Sequence, residues 1–239
     1  MYRTIAVSVL AAASFTAASA ETEEAGIRQA FVAKFPKMSV ESVSRTPFAG
    51  IYEVVVAGDV FYTDAKLSYL FSGNLLDVRS GQPRNITQET NAKLASGALV
   101  KATDFAVKRV KGSGKRVVYT FEDPNCGYCK ELQKELAKLN DVTIYTFLWP
   151  ILSPDSVEKS KAIWCSKDRA KSWEDYMIKG VALKGKTDCD TSALERNAKL
   201  AQRFNLKGTP AIYIASGEQV GGYVPAEKLE AVLSGAPAR

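Results

Sequence analysis

Four cysteines are the residues best able to do chemistry here: Cys126, Cys129, Cys165 and Cys189. The sequence contains no histidine, which excludes Ser/His/Asp and Cys/His nucleophile pairs and every histidine-ligated metal site. Cys126-Gly127-Tyr128-Cys129 follows an apolar strand pattern, Arg116 to Phe121, and a turn at Glu122-Asp123-Pro124-Asn125. The pair therefore stands where a strand gives way to a helix. Unsatisfied N–H groups and the positive end of the dipole at a helix start stabilise a thiolate. A thiol of lowered pKa is both a competent nucleophile and a good leaving group, the two properties that disulfide exchange demands. Cys129, one turn further along the same face, reaches Cys126 without backbone movement, so it is expected to be the resolving thiol and the more buried one.

Zinc would need a second close cysteine pair, and Cys165 and Cys189 are far apart, so no metal is expected. A passive bridge at Cys126 and Cys129 would gain nothing from a helix start. Of the three connectivities open to four cysteines, pairing Cys126 with Cys129 leaves Cys165 with Cys189, a structural bridge closing a loop beside Trp164 and Trp173. A second redox pair is the alternative. Gly208-Thr209-Pro210 carries the next signal. Proline is tolerated at a strand's first residue, which is the plain reading. A cis Thr209–Pro210 bond would instead aim the Thr209 backbone outward beside the cysteines, where an extended substrate adds as a strand.

The elements that must position these residues follow from periodicity. The strand at Arg116 to Phe121, a helix from Cys126 to about Leu139 with Leu132, Leu136 and Leu139 inward, and a strand at Thr143 to Leu148 predict a βαβ unit with a parallel sheet. A helical insertion follows: Ser153-Pro154 is a start signal, Trp173 and Met177 stack four apart, and Thr191 opens a helix through Leu194, Ala198 and Phe204. Ala211 to Ala215 pairs with Gln219 to Tyr223, and Ala226 to Leu233 forms a closing helix. Ahead of this region, Ile27, Phe31 and Phe35 predict a helix from Glu24 to Phe35. Strands at Ile51 to Val56, Val60 to Thr63, Leu67 to Phe71 and Leu75 to Val78 then predict an antiparallel meander.

The chain has 239 residues, 46% hydrophobic and 24% charged, which predicts a globular protein of one or two domains. Arg3, the apolar run Ile5 to Phe15 and Ala18-Ser19-Ala20 read as a cleavable leader over 1–20, which in a bacterium means export to the periplasm. No apolar run reaches the length of a membrane span. Acids outnumber bases over 21–83, whereas bases outnumber acids over 84–239. We therefore expect a domain at 21–83, a linker helix at 84–100 and a catalytic domain at 101–239. The first domain is too small for a full core and must end in edge strands, so pairing with a second copy through Leu67, Leu70, Phe71, Leu75 and Leu76 is expected. Two readings of another class are a holdase with incidental cysteines and nucleic-acid binding through Lys108, Arg109, Lys111, Lys115 and Arg116. No aromatic residue is interleaved with that basic run and no nucleic-acid motif accompanies it, so a solvated face, and no nucleic-acid partner, is expected.

Together, the Cys126-to-Cys129 turn, Lys161-Ala162-Ile163-Trp164-Cys165, Gly208-Thr209-Pro210-Ala211 and Gly222-Tyr223-Val224-Pro225 resemble the DsbC/DsbG family of the thioredoxin superfamily. The resemblance runs over essentially the whole chain after the leader. It implies an α/β thioredoxin-like catalytic domain with a helical insertion, and a small α+β, cystatin-like N-terminal domain that joins two chains into a homodimer. It further implies a periplasmic isomerase that reshuffles or reduces incorrect disulfides in misfolded secreted proteins, without a cofactor, recharged by a membrane reductase of the DsbD type. Gly127-Tyr128 is the isomerase-like dipeptide and, with Thr209 and Pro210, the implied substrate contact. A DsbG-like reductase or chaperone with fewer clients is the alternative. One departure stands out: the buried acid that thioredoxin carries six residues before its first cysteine falls at Thr120. Glu122 and Asp123 are the nearby candidates to take the Cys129 proton, and both also suit ordinary turn and capping roles.

Overall fold

The computed structural model describes residues 13–185 and 187–235, with side chains from residue 22 onward. The expected leader at 1–20 and its cleavage pattern lie outside the residues whose side chains are described. The chain divides into two compact units, 1–90 and 91–239.

The first unit holds α1 (Ala13–Lys34), β1 (Val40–Arg45), β2 (Ile51–Val56), β3 (Asp59–Asp64), β4 (Leu70–Ser72), β5 (Leu76–Asp77), β6 (Arg84–Asn85) and the start of α2 (Ile86–Lys101). Helix α1 begins earlier than expected and ends one residue short of Phe35, because Pro36 cannot continue it. Ile27 and Phe31, one turn apart, are buried against Val43, Tyr52, Val54, Val56 and Leu67. Strands β1 to β4 form an antiparallel meander in chain order. The expected meander is corrected at both ends. Strand β1 escaped the sequence pattern because Val40 and Val43 are three apart, and only an irregularity between Val40 and Ser42 restores the alternation. Leu75 to Val78 is not the fourth strand: Leu76–Asp77 pairs instead with Arg84–Asn85. Leu67 also departs from expectation, since the chain turns there with φ of 51° and the side chain enters the core before β4 begins.

The second unit continues α2 and adds a 3-10 turn (Thr103–Phe105), β7 (Val107–Lys111), β8 (Arg116–Glu122), α3 (Gly127–Leu136), β9 (Val142–Leu148), α4 (Pro154–Trp164), α5 (Arg169–Lys179), α6 (Ser192–Arg203), β10 (Ala211–Ile214), β11 (Gln219–Gly221) and α7 (Ala226–Leu233). Its sheet runs β11-β10-β8-β9-β7, with β8 and β9 parallel as the βαβ pattern predicts. Strand β8 lies at the centre and its alternation sorts the layers. Val118 packs with Leu132 and Leu136 of α3, while Tyr119 and Phe121 pack on the opposite face with Ala95, Leu99 and Ala201. Strand β7 was hidden in the basic run. Alternation turns Arg109 inward and leaves Lys108 and Val110 exposed. Elsewhere in the run Lys111 bonds the Ala137 carbonyl and Arg116 pairs with Glu230, while Lys108 and Lys115 are exposed. No described helix is long and apolar enough to cross a membrane.

Cys165, which caps α4, is bonded to Cys189. Around this bridge Trp164 Nε1 donates to the Asp190 carbonyl at 3.0 Å, the Arg169 guanidinium lies 3.5 Å from the Trp164 ring centroid, and Trp173 is fully buried. The hairpin between β10 and β11 lies directly on α2. A Cβ on Gly217, where φ is +82°, would fall 1.9 Å from the Ala92 carbonyl oxygen.

Two stability predictions follow from these contacts. Gly217→Ala forces both a left-handed alanine and a backbone clash, and should cost well over about 1 kcal/mol in chemical denaturation; an unchanged midpoint would mean that the hairpin does not rest on the helix. Replacing Cys165 and Cys189 with serine should remove about 3.5 kcal/mol by the chain-entropy argument and lower the melting temperature. The same variant should keep the exchange activity of Cys126 and Cys129, and a folded but inactive protein would contradict a structural role.

Candidate active site

Strand β8 runs out at Glu122 and a four-residue turn delivers the chain to α3, whose N-cap is Cys126 (φ −74°, ψ 119°). The Cys126 N–H donates to the Asp123 carbonyl at 3.0 Å, and the Cys126 sulfur accepts the Cys129 N–H at 3.4 Å. That sulfur replaces the hydroxyl or carboxylate which normally satisfies an orphan N–H at this position. The Thr209 carbonyl oxygen, 83 residues away in sequence, lies 3.3 Å from the same sulfur. The Thr209–Pro210 peptide is cis.

Both cysteines are thiols and buried, Cys129 completely so. Their environments push them in opposite directions. The Cys126 thiol is held down at about 5: the Cys129 thiol beside it has the largest effect, Thr209 and the N–H groups of Cys129 and Tyr128 add to it, and burial opposes it. Burial drives Cys129 far above the ordinary thiol range, and the proximity of Cys126 and Glu122 adds to that. One sulfur is therefore an anion at neutral pH while its neighbour keeps its proton.

The remaining sequence candidates are placed as follows. Gly127 opens α3 with empty space where a Cβ would stand. Tyr128 is 70% exposed, with its ring 6.5 Å from that of the exposed Tyr223. Thr209 is half-buried beside the sulfur and Pro210 is buried. Cys165 and Cys189 are engaged with each other. Among the described residues no group of histidine, cysteine or acidic side chains could hold a metal ion.

The two acids differ more than their adjacency suggests. The Asp123 carboxylate accepts three backbone N–H groups, from Asn125 at 2.7 Å, Ile151 at 2.8 Å and Leu152 at 2.9 Å, so it ties the turn to the loop after β9. Glu122 is fully buried, accepts from Gln133 Nε2 at 2.6 and 2.8 Å, and is raised to about 7, chiefly by burial. Gln133 in turn accepts from buried Arg109 at 2.6 Å. Sequence reasoning missed Arg109, Gln133 and also Asn125. The Asn125 amide nitrogen donates to Ser153, Asp155 and Ser156, and its oxygen accepts from Lys159 at 2.7 Å, which fixes the turn before Cys126 against α4. Its one sequence signal was position, immediately before the cysteine pair.

Comparison with known proteins agrees with this geometry. A thioredoxin-like domain family matches residues 103–236, and the disulfide bond isomerase protein N-terminal domain family matches residues 16–88. The chain is 42% identical over 208 residues to the probable thiol:disulfide interchange protein DsbC of Bordetella parapertussis, covering 87% of this chain and 73% of that protein. It is 30% identical over 221 residues to DsbC of Escherichia coli, covering 90% and 89% respectively. A crystal structure of a disulfide interchange protein from Neisseria gonorrhoeae matches with a TM-score of 0.53 at 38% identity, over 57% of this chain and 99% of that one. The α/β thioredoxin-like fold with a separate isomerase-type N-terminal domain stands as expected.

The opposed thiols generate a prediction for the reduced protein. Because the Cys126 pKa is depressed, its thiolate and its reactivity persist as pH falls and are lost only near pH 5. Alkylation followed by peptide mapping should label Cys126 with a midpoint near pH 5 and leave Cys129 unmodified at neutral pH. Earlier labelling of Cys129 would reverse the two environments.

Proposed function

The chain belongs to the DsbC family of thiol:disulfide interchange proteins, and from that membership we propose that it is a periplasmic disulfide isomerase whose reaction is carried by Cys126 and Cys129. The observation that carries the assignment of roles is the Cys126 sulfur itself, held at about 5 on the first turn of α3 beside a fully protonated partner.

In the proposed cycle the Cys126 thiolate attacks a wrongly formed substrate disulfide, one substrate thiolate leaves, and a mixed disulfide remains. Two exits compete. A second substrate thiol displaces Cys126, which reshuffles the substrate and returns the enzyme reduced. Alternatively Cys129 attacks Cys126, which releases reduced substrate and leaves an oxidised pair for a membrane reductase of the DsbD type to recharge. Tyr128 and Tyr223, with Ile151 and Leu152 on the loop tied to Asp123, expose apolar surface around the sulfur and suit an unfolded client without sequence preference. The Thr209 carbonyl beside the sulfur suits the main chain of an extended substrate. The alternative reading, a DsbG-like reductase or chaperone with a narrower client set, uses the same chemistry.

We assign residues 1–20 to an export leader, 21–83 to a dimerisation domain, 84–100 to a linker helix and 101–239 to the catalytic domain. The edge strand β4 supports the dimer. Its residues are all exposed, Phe71 by 53%, and Tyr69, Leu70, Leu76 and Val78 are exposed nearby. An apolar edge with open N–H and C=O groups is a pairing surface. A two-fold partner places a second Cys126 at high effective concentration for the same client.

Truncation before residue 91, which keeps Ala95 and Leu99 in the core of the second unit, should give a monomer that reduces small disulfides at the full-length rate but fails to rescue a scrambled multi-disulfide protein. A monomeric full-length chain in sedimentation, or undiminished rescue by the truncated one, would remove the dimer from the mechanism.

A further inference from the structure

We propose that Glu122 receives the Cys129 proton when the mixed disulfide resolves, and that Gln133 and Arg109 are positioning residues that hold its carboxyl for that task. The inference rests on the roles proposed above for Cys126 and Cys129.

Geometry selects Glu122. Alternation along β8 puts it on the same side as Val118 and Thr120, the side that α3 covers. Its carboxylate takes both bonds from Gln133, which stands one helical turn after Cys129 on α3. The carboxyl thus lies under the face of α3 that carries the resolving thiol, and its charge is felt there. Asp123, the neighbouring acid, is saturated by three backbone donors and ties down a loop instead. The charged and titratable groups facing Glu122 from packed elements are Arg109 on β7 and Cys126 and Cys129 on α3. Glu174 of α5 acts through Arg109, 3.6 Å away.

The connection to Arg109 is indirect in an informative way. The guanidinium donates to Gln133 Oε1 at 2.6 Å and to Thr146 Oγ1 at 3.1 Å, while the carboxylate is bonded by Gln133 and the Thr120 hydroxyl rather than by Arg109. A direct ion pair would hold Glu122 ionised at all working pH values. With a neutral amide between them, burial prevails and the group titrates at about 7, where a proton acceptor is most effective.

The step balances without a further reactant. Cys129 Sγ loses its proton to the Glu122 carboxylate and bonds Cys126 Sγ. The bond between Cys126 and substrate breaks, and its electron pair leaves with the substrate thiolate. The substrate cysteine is reduced, the enzyme pair is oxidised, and protonated Glu122 remains. Below pH 7 Glu122 is already protonated and this exit slows, so the mixed disulfide lasts longer and displacement by a substrate thiol gains share.

A small aromatic disulfide, 5,5′-dithiobis(2-nitrobenzoate), separates the steps, since Cys126 releases the first coloured thiolate and Cys129 the second. With full-length E122Q the first release should match wild type. The second should slow by on the order of 10²-fold at neutral pH and lose its rise through pH 7, and E122D should restore part of both. A second release in E122Q with the wild-type rate and pH profile overturns the proposal. A missing first release in the wild-type protein would instead sink the roles of the two cysteines. If E122Q does not fold, infrared spectra of wild type decide: a buried carboxylic acid band titrating near pH 7 in the reduced protein is expected, and its absence overturns the assignment.

Discussion

A sulfur anion at the first turn of a buried helix is the demand on which the rest of the catalytic unit depends. Cys126 is 6% exposed, so it has little water to stabilise its charge and must be compensated by donors fixed in the fold. Those donors are the N–H groups of Tyr128 and Cys129, the thiol of Cys129 and the side-chain hydroxyl of Thr209. Each is in place only if α3 starts at residue 127 and the Thr209–Pro210 loop returns to the same spot. The central strand order sees to the second condition, because β10 pairs directly with β8 and brings Ala211 opposite Phe121. A strand shift of one residue would carry the Thr209 side chain away from the sulfur.

The same burial that makes Cys126 depend on donors keeps Cys129 protonated, with Glu122 and Cys126 adding to the effect, and this contrast supports the attacking and resolving roles proposed for the two thiols. This division needs polar support beneath the helix, and the unit carries an unusual amount of it. Arg109, Glu122, Gln133, Thr120 and Thr146 form one buried hydrogen-bonded group, Thr120 joining through Thr146 at 3.0 Å. The Nε of Arg109 has no partner within it. Such a group contributes little to stability compared with apolar packing of equal volume. Its place under the two thiols fits the proton-accepting role proposed for Glu122.

Much of the site could be read directly along the chain. The cysteine spacing, the strand-to-helix transition and the absence of histidine already imply thiol exchange, because a thiolate requires only local features: a helix start and a partner one turn away. The βαβ unit and α7 were equally legible from periods of two and of three to four. Where prediction failed, local pattern and tertiary environment disagreed. Val107 to Lys111 looked like a solvated charge run, since nothing in it tells which of its basic residues points inward. Val40 to Arg45 lacked alternation until an irregularity supplied it. Leu76 found a different partner strand because pairing is decided by what lies opposite.

The sequence by itself pointed to the pair proposed to react, determined their order of burial and gave the class of reaction, since each depends on residues within a few positions of Cys126. Only the tertiary structure decided what surrounds them. Thr209 reaches the sulfur across 83 residues, and Arg109 meets Gln133 across 24. Glu122 and Asp123, neighbours of identical charge type, took different tasks because alternation sends one beneath α3 and the other into a ring of backbone N–H groups. Burial and hydrogen bonding set a pKa, and both arise from parts of the chain that meet only in the folded state.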